Sequence, residues 1–163
     1  MSQYKSLSAA IMAIFALVIV GCSAEKPETD NGVPWPTATL IDPNAASAEL
    51  LSGVPGINAE IAEAVIAGRP YTTSSDLNAV LAASLDETAL REVYKLLFVK
   101  VELNDAAEGD LKLIPSSLNP RKFAHEIEEY RPYASMEDFR RELGKYVSDS
   151  ELAYLERFVY LNE

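Results

Sequence analysis

RPYTTSSDLNAVLAASLDETALREVYKLLFVKV, residues 69–101, returns in outline as RPYASMEDFRRELGKYVSDSELAYLERFVYLNE, residues 131–163. At an offset of 62, Arg69-Pro70-Tyr71 falls on Arg131-Pro132-Tyr133, and the register then runs without a gap through Val101 and Glu163. Only 6 of the 33 positions are identical, yet the apolar ones coincide throughout. Leu77 meets Phe139, Leu81 meets Leu143, Leu85 meets Val147 and Leu90 meets Leu152; Val93, Leu96 and Leu97 meet Leu155, Phe158 and Val159. Self-similarity of this kind points to an ancient duplication, and so to two small units of one design.

The local signals are helical in both segments. Thr73 stands three residues before Asp76, and Ser135 three before Asp138, the spacing at which each side chain satisfies a free N–H of the first turn. Asp86 and Ser148 occupy matching N-cap positions, and Ser148-Asp149-Ser150-Glu151 has the complete capping-box pattern. Apolar residues at three- and four-residue spacing predict last helices over about 87–98 and 149–160, each with one buried face. Pro70 and Pro132 stop the helices before them. The expectation is an all-α fold with four short helices per copy. Copy 1 spans 40–103, copy 2 spans 110–163, and an extended joint lies near Val99–Leu103.

Ahead of the repeat, residues 44–58 read NAASAELLSGVPGIN, followed by Ala62, Val65, Ile66 and Arg69. Together with Pro70-Tyr71 and Asp76-Leu77, this stretch resembles the SAM-like helix-hairpin-helix modules of the ComEA/PsbU type. The resemblance covers 44–101 directly and reaches 112–163, a degenerate copy, only through the internal repeat. It implies a hairpin at Val54, Pro55, Gly56, Ile57 and Asn58. Gly56 supplies the tight turn, Asn58 is the non-glycine best suited to a left-handed backbone, and Ile57 points into the helix pair. In DNA-binding modules of this kind, N–H groups of the turn and of the next helix cradle a phosphate, assisted by a nearby lysine or arginine.

This sequence departs from that pattern. Ala59, Glu60, Ile61, Ala62 and Glu63 follow the hairpin, with no base until Arg69, and Asn58 replaces the second glycine. The matching stretch of copy 2, Ile114-Pro115-Ser116-Ser117-Leu118-Asn119-Pro120-Arg121-Lys122, has bases but no glycine. The sequence carries a formal net charge of −11. Residues 22–109 hold 14 acidic against 5 basic side chains, and residues 110–163 hold 11 against 8. Such acidity disfavours polyanion binding, because phosphate affinity comes mainly from lysine and arginine displacing counterions. If duplex DNA is bound at all, the candidate phosphate contacts are Arg121, Lys122, Arg140, Arg141 and Lys145.

The N-terminal stretch has a different job. Lys5 is the only charge in the first 24 residues and precedes the apolar run Ala9–Val20. The run is shorter than the roughly 20 residues a membrane-spanning helix needs, and it has the parts of a secretory signal. Ile19-Val20-Gly21-Cys22 resembles the bacterial lipobox, which implies cleavage of a signal peptide 1–21. It further implies diacylglycerol and fatty acyl chains such as palmitate on Cys22. Cys22 is the sole cysteine, so no intrachain disulfide competes for it. Ser23 is not the aspartate of an inner-membrane retention signal, which favours an outer membrane, facing the periplasm, in a host with two membranes. Residues 22–39, rich in proline and polar side chains, read as a flexible linker. Trp35, between Pro34 and Pro36, either docks on the folded part, touches the membrane interface or stays exposed.

Chemistry-bearing patterns are few. His125 is the only histidine, which rules out the usual zinc ligand sets. Glu126, Glu128 and Glu129 form a charged helix face without the glycine and terminal glutamate of a calcium loop. There is no nucleophile elbow and no phosphate loop, so neither an enzyme nor a cofactor is expected. Tyrosine and arginine are enriched at protein contacts, which makes Tyr130, Arg131, Tyr146 and Tyr154 a candidate partner face. The expected function is a non-catalytic scaffold or interaction module of the cell envelope, held on the membrane by lipid and contacting another envelope protein. The alternative is a ComEA-like lipoprotein for DNA binding and uptake.

Overall fold

The computed structural model describes residues 34–162. The signal 1–21, Cys22 and the first part of the linker lie outside these described residues. The described chain is mostly helical: α1 (Ala48–Ser52), α2 (Ala59–Ala67), α3 (Ser74–Leu81), α4 (Glu87–Tyr94), α5 (Glu108–Leu111), α6 (Pro120–Glu129), α7 (Met136–Leu143) and α8 (Asp149–Leu155). A 3-10 turn at Glu156–Phe158 follows α8. Two short strands, β1 (Val101–Glu102) and β2 (Val159–Tyr160), pair in parallel. Among the described residues, no helix is long and apolar enough to cross a membrane.

The predicted caps form. Thr73 and Asp76 close a reciprocal capping box on α3, while Ser135, Asp86 and Ser148 each accept an N–H of the third residue of their helices. The last helices are shorter than their periodicity suggested. α4 stops at Tyr94 because Leu97 forms a parallel bridge with Ile41, Ile41 donating to Leu96 O and Phe98 donating to Ile41 O. α8 stops at Leu155, and Val159 pairs with Val101. In both places the backbone trades helical bonds for a ladder that ties the end of a segment to its beginning. The all-α expectation is corrected to that extent.

The same contacts recur in the two halves. Asn44 Nδ2 donates to Tyr71 O at 3.0 Å and Asn44 Oδ1 accepts from Tyr71 N–H at 2.8 Å; Asn104 and Tyr133 repeat this at 3.0 and 2.7 Å. Arg69 donates to Pro43 O and Ala46 O, as Arg131 does to Leu103 O and Ala106 O. The Tyr71 hydroxyl donates to Val65 O and the Tyr133 hydroxyl to Ile127 O. Arg69-Pro70 and Arg131-Pro132 are both cis.

The buried apolar residues form one connected core through both halves. Its spine is aromatic: Tyr94 meets Phe98 edge-on at 5.7 Å, Phe98 meets Phe158 at 5.2 Å, and Phe158 meets Tyr154 at 4.9 Å. A polar stitch adds to it. Asp110, buried on α5, accepts from both the N–H and the hydroxyl of Ser75 at 2.7 Å, in the first turn of α3. Trp35 is docked on this body, 7% exposed, stacked on Tyr154 at 4.7 Å, with Arg157 Nη1 donating to Pro36 O at 2.6 Å. The part of 22–39 around Trp35 is therefore packed rather than a free linker.

Candidate functional site: the α1–α2 hairpin and the α5–α6 turn

The α1–α2 hairpin is built as its sequence suggests, with one correction. Ser47 caps α1, and Gly53 N–H returns to Glu49 O and Leu50 O. Val54 and Ile57 are buried, with Ile57 N–H donating to Val54 O at 3.0 Å, and Pro55 is exposed. Gly56, at φ +91°, is the left-handed glycine of the turn. Asn58 is not left-handed: at φ −90° and ψ 176° it is the N-cap of α2, its Oδ1 accepting from Ile61 N–H at 2.9 Å. An asparagine in the extended region satisfies one of the helix's free donors, and this gain outcompetes the left-handed option.

The consequence for anion binding is direct. An N–H of α2 that would face a phosphate is already taken by Asn58. Glu60 and Glu63, both exposed on α2, add negative charge beside the same end. The N–H groups of Gly56 and Asn58 have no hydrogen-bond partner among the described residues, but no basic side chain of this hairpin stands beside them. Arg69, the nearest base in sequence, is committed to the carbonyls of Pro43 and Ala46.

The α5–α6 turn is organised differently. Ile114 is buried, Asn119 caps α6 through Arg121 N–H, and Pro120 takes the first helical position, where a missing N–H costs nothing. Between them, Ser116 and Ser117 are bound to Glu151 of α8. Glu151 Oε1 accepts from Ser116 Oγ at 2.8 Å and Ser117 N–H at 2.7 Å, and Oε2 accepts from Ser117 Oγ at 2.6 Å. Glu151 is fully buried. The capping box anticipated at Ser148–Glu151 is thus half formed: Ser148 Oγ accepts from Glu151 N–H, but the carboxylate is held by the distant turn.

The five candidate phosphate contacts separate into two groups. Arg140 is bidentate to Glu156, at 2.5 and 3.0 Å, and also reaches Glu137. Arg141 pairs with Asp138 and Glu142, and Lys145 pairs with Glu142. These carboxylates raise the pKa of each of the three bases, Glu156 acting first on Arg140 and Glu142 first on Arg141 and Lys145. Arg121 and Lys122 are exposed in the first turn of α6 and make no direct ion pair among the described residues, although Arg121, after Lys112, helps hold the Glu108 carboxyl below its ordinary value.

The candidate partner face is also divided. Tyr154 is buried under Trp35 and belongs to the core. Arg131 spends its guanidinium on Leu103 O and Ala106 O. Tyr130 and Tyr146 remain half-buried at the surface, their hydroxyls 3.0 Å apart. Lys145 lies 4.7 Å over the Tyr130 ring and Lys122 lies 5.3 Å over the Tyr146 ring. Hydrogen bonding to Tyr130, then to Glu126, raises the Tyr146 pKa. Among the described residues, no group of acidic, histidine or cysteine side chains could hold a metal ion.

Residues that organise these sites without having been singled out are Asp110, Asn104 and Arg157, while the sequence marks Glu151 only as a local cap. Asn104 had a sequence signal. An offset of 60, in place of 62, aligns Asn44 with Asn104, Ala46 with Ala106, Leu51 with Leu111 and Pro55 with Pro115. The two-residue difference is absorbed between that stretch and Arg131, so a single ungapped register misses it.

The family model for the helix-hairpin-helix motif matches residues 37–93, which contain α1, the Val54–Asn58 turn, α2, α3 and most of α4. That segment matches the helix-hairpin-helix motif, over about a third of the chain. No curated protein and no solved structure matches the chain.

Proposed function

We propose that the chain is a non-catalytic lipoprotein of the cell envelope. On this reading it works through protein contacts on a tandem pair of helix-hairpin-helix units, the second degenerate. The duplicated Asn–Tyr, Arg–carbonyl and Tyr–carbonyl contacts support a tandem origin. The observation that carries the protein-contact reading is the chemistry of the family-matched hairpin. It presents Glu60 and Glu63, caps its own helix with Asn58 and has no free base. A hairpin of that charge repels a phosphate backbone. The Tyr130–Tyr146 pair with its two lysines is the part of the expected partner face that stays at the surface. Lipid on Cys22 would hold the module on the membrane, an outer membrane facing the periplasm in a host that has two.

The exposed pair Arg121 and Lys122 favours one second reading, duplex DNA binding as in ComEA-like lipoproteins. A titration of the full chain in detergent with duplex DNA, at low and moderate salt, separates the two. We expect no binding at either salt. Binding that weakens with salt and is abolished by Arg121→Glu with Lys122→Glu would replace the protein-contact reading with the DNA one. Recovery of an envelope protein by cross-linking, lost in Tyr130→Ala with Tyr146→Ala, is the positive expectation. The anchor is tested by fatty-acid labelling, which Cys22→Ser should eliminate; labelling that persists in that variant refutes it.

A further inference from the structure

We infer that the α5–α6 turn is an oxyanion-binding site that the protein fills with its own Glu151. Three donors from two consecutive residues converge on one carboxylate: the Ser116 hydroxyl at 2.8 Å, the Ser117 N–H at 2.7 Å and the Ser117 hydroxyl at 2.6 Å. Both carboxylate oxygens are engaged. Glu151 is fully buried, and it has no cationic partner among the described residues. Its two carboxylate oxygens are therefore met by neutral donors alone, as those of an oxyanion are in a built site. Burying a carboxylate is costly unless its lone pairs are met, so the turn and the carboxylate make sense only together.

The comparison with the other half sharpens this. At the offset of 62, Glu151 corresponds to Ala89, and the α1–α2 hairpin has Pro55 and Gly56 where the α5–α6 turn has Pro115 and Ser116. The carboxylate and the hydroxyls are present together in one half and missing together in the other, which is how a ligand and its site behave. Ser117 is exposed while Glu151 lies sealed behind it, so the donors sit between the internal carboxylate and solvent. The site is closed to outside anions for as long as α8 stays docked. A vacancy at position 151 exposes three donors suited to a small oxyanion: formate, acetate or inorganic phosphate.

The experiment uses Glu151→Ala in the full chain in detergent, titrated with sodium formate or phosphate against sodium chloride at matched ionic strength. We expect a lowered Tm that formate restores saturably by several degrees. The Ser117 amide resonance should move over the same concentration range. Neither response should occur in the unaltered protein, and Ser116→Ala with Ser117→Ala should abolish both in the Glu151→Ala background. A folded Glu151→Ala that responds no more to formate or phosphate than to chloride overturns the inference, as does an unaltered protein that responds equally. Should Glu151→Ala be unfolded, saturable recovery of its helical signal with formate supports the site, and failure to recover at any formate concentration overturns it.

Discussion

Gly56 and Asn58 lie two residues apart, and the backbone treats them in opposite ways. Gly56 is left-handed because the chain must reverse between Val54 and Ile57, both of which point inward. A Cβ built there would stand 3.6 Å from Val93 Cγ2, an ordinary contact, so the barrier to substitution is conformational rather than steric crowding. Gly56→Ala should cost about 1–2 kcal/mol, the penalty of a left-handed non-glycine, read as a lower urea midpoint with an unchanged slope. Gly56→Asn should cost less. Asn58→Ala should cost about 1 kcal/mol through loss of the cap, and Asn58→Gly only a few tenths. If Asn58→Gly were instead stabilising, the cap assignment would be wrong. The glycine was legible from sequence because a Gly between two inward apolar residues has few other uses. The role of Asn58 was not, because asparagine suits both a left-handed turn and an N-cap, and the donor at Ile61 decides between them.

At the scale of elements, local patterns were legible and long-range competitors were not. Thr73–Asp76 closes as read, since the other donors that reach Asp76 among the described residues come from its sequence neighbour Thr72 and leave the box intact. Ser148–Glu151 has the same spacing, yet its carboxylate is captured by Ser116 and Ser117, 35 and 34 residues away. No window over 148–151 contains those serines. The caps at the starts of α3 and α7 make a pH prediction. Hydrogen bonds from Thr72 and Thr73 hold the Asp76 carboxyl below its ordinary value, and those from Arg141 and Ser135 do the same for Asp138. A carboxyl whose folded pKa is depressed stabilises the fold above its unfolded value of about 4, and that stability is lost as pH falls through the folded value. Helical signal and urea midpoint should therefore be flat from neutrality to about pH 5 and then fall together. Asp76→Asn with Asp138→Asn should flatten the acid limb; an acid limb of unchanged steepness in the double variant would remove these two groups from the explanation.

For the molecule as a whole, the repeated sequence pattern reads as two beads, whereas the aromatic spine makes one body. Phe98, the last buried residue of the first repeat segment before the joint, packs on Phe158, near the end of the second. Pattern matching cannot anticipate this, because the offset pairs Phe98 with Tyr160, one of the exposed large apolar residues. The spine ends at Trp35, whose ring extends the Phe158–Tyr154 contact to the point where the chain leaves toward Cys22. If the chain is anchored through Cys22 as proposed, a buried indole here ties the anchored end to α8, and the module is held by its α8 side rather than swinging from Thr39. Trp35 is the only tryptophan, which makes the point measurable. Its emission should be blue-shifted and shielded from acrylamide both in detergent and on vesicles, and it should report the same urea midpoint as the helical signal. Trp35→Ala should lower stability by about 3–5 kcal/mol, as loss of a buried aromatic does. An emission quenched by nitroxide-labelled lipid on vesicles would place the ring in the membrane interface and dissolve the link between tether and α8. An unchanged urea midpoint in Trp35→Ala would show that the stack adds nothing to the fold, and the tether would then begin at the edge of the first helical unit.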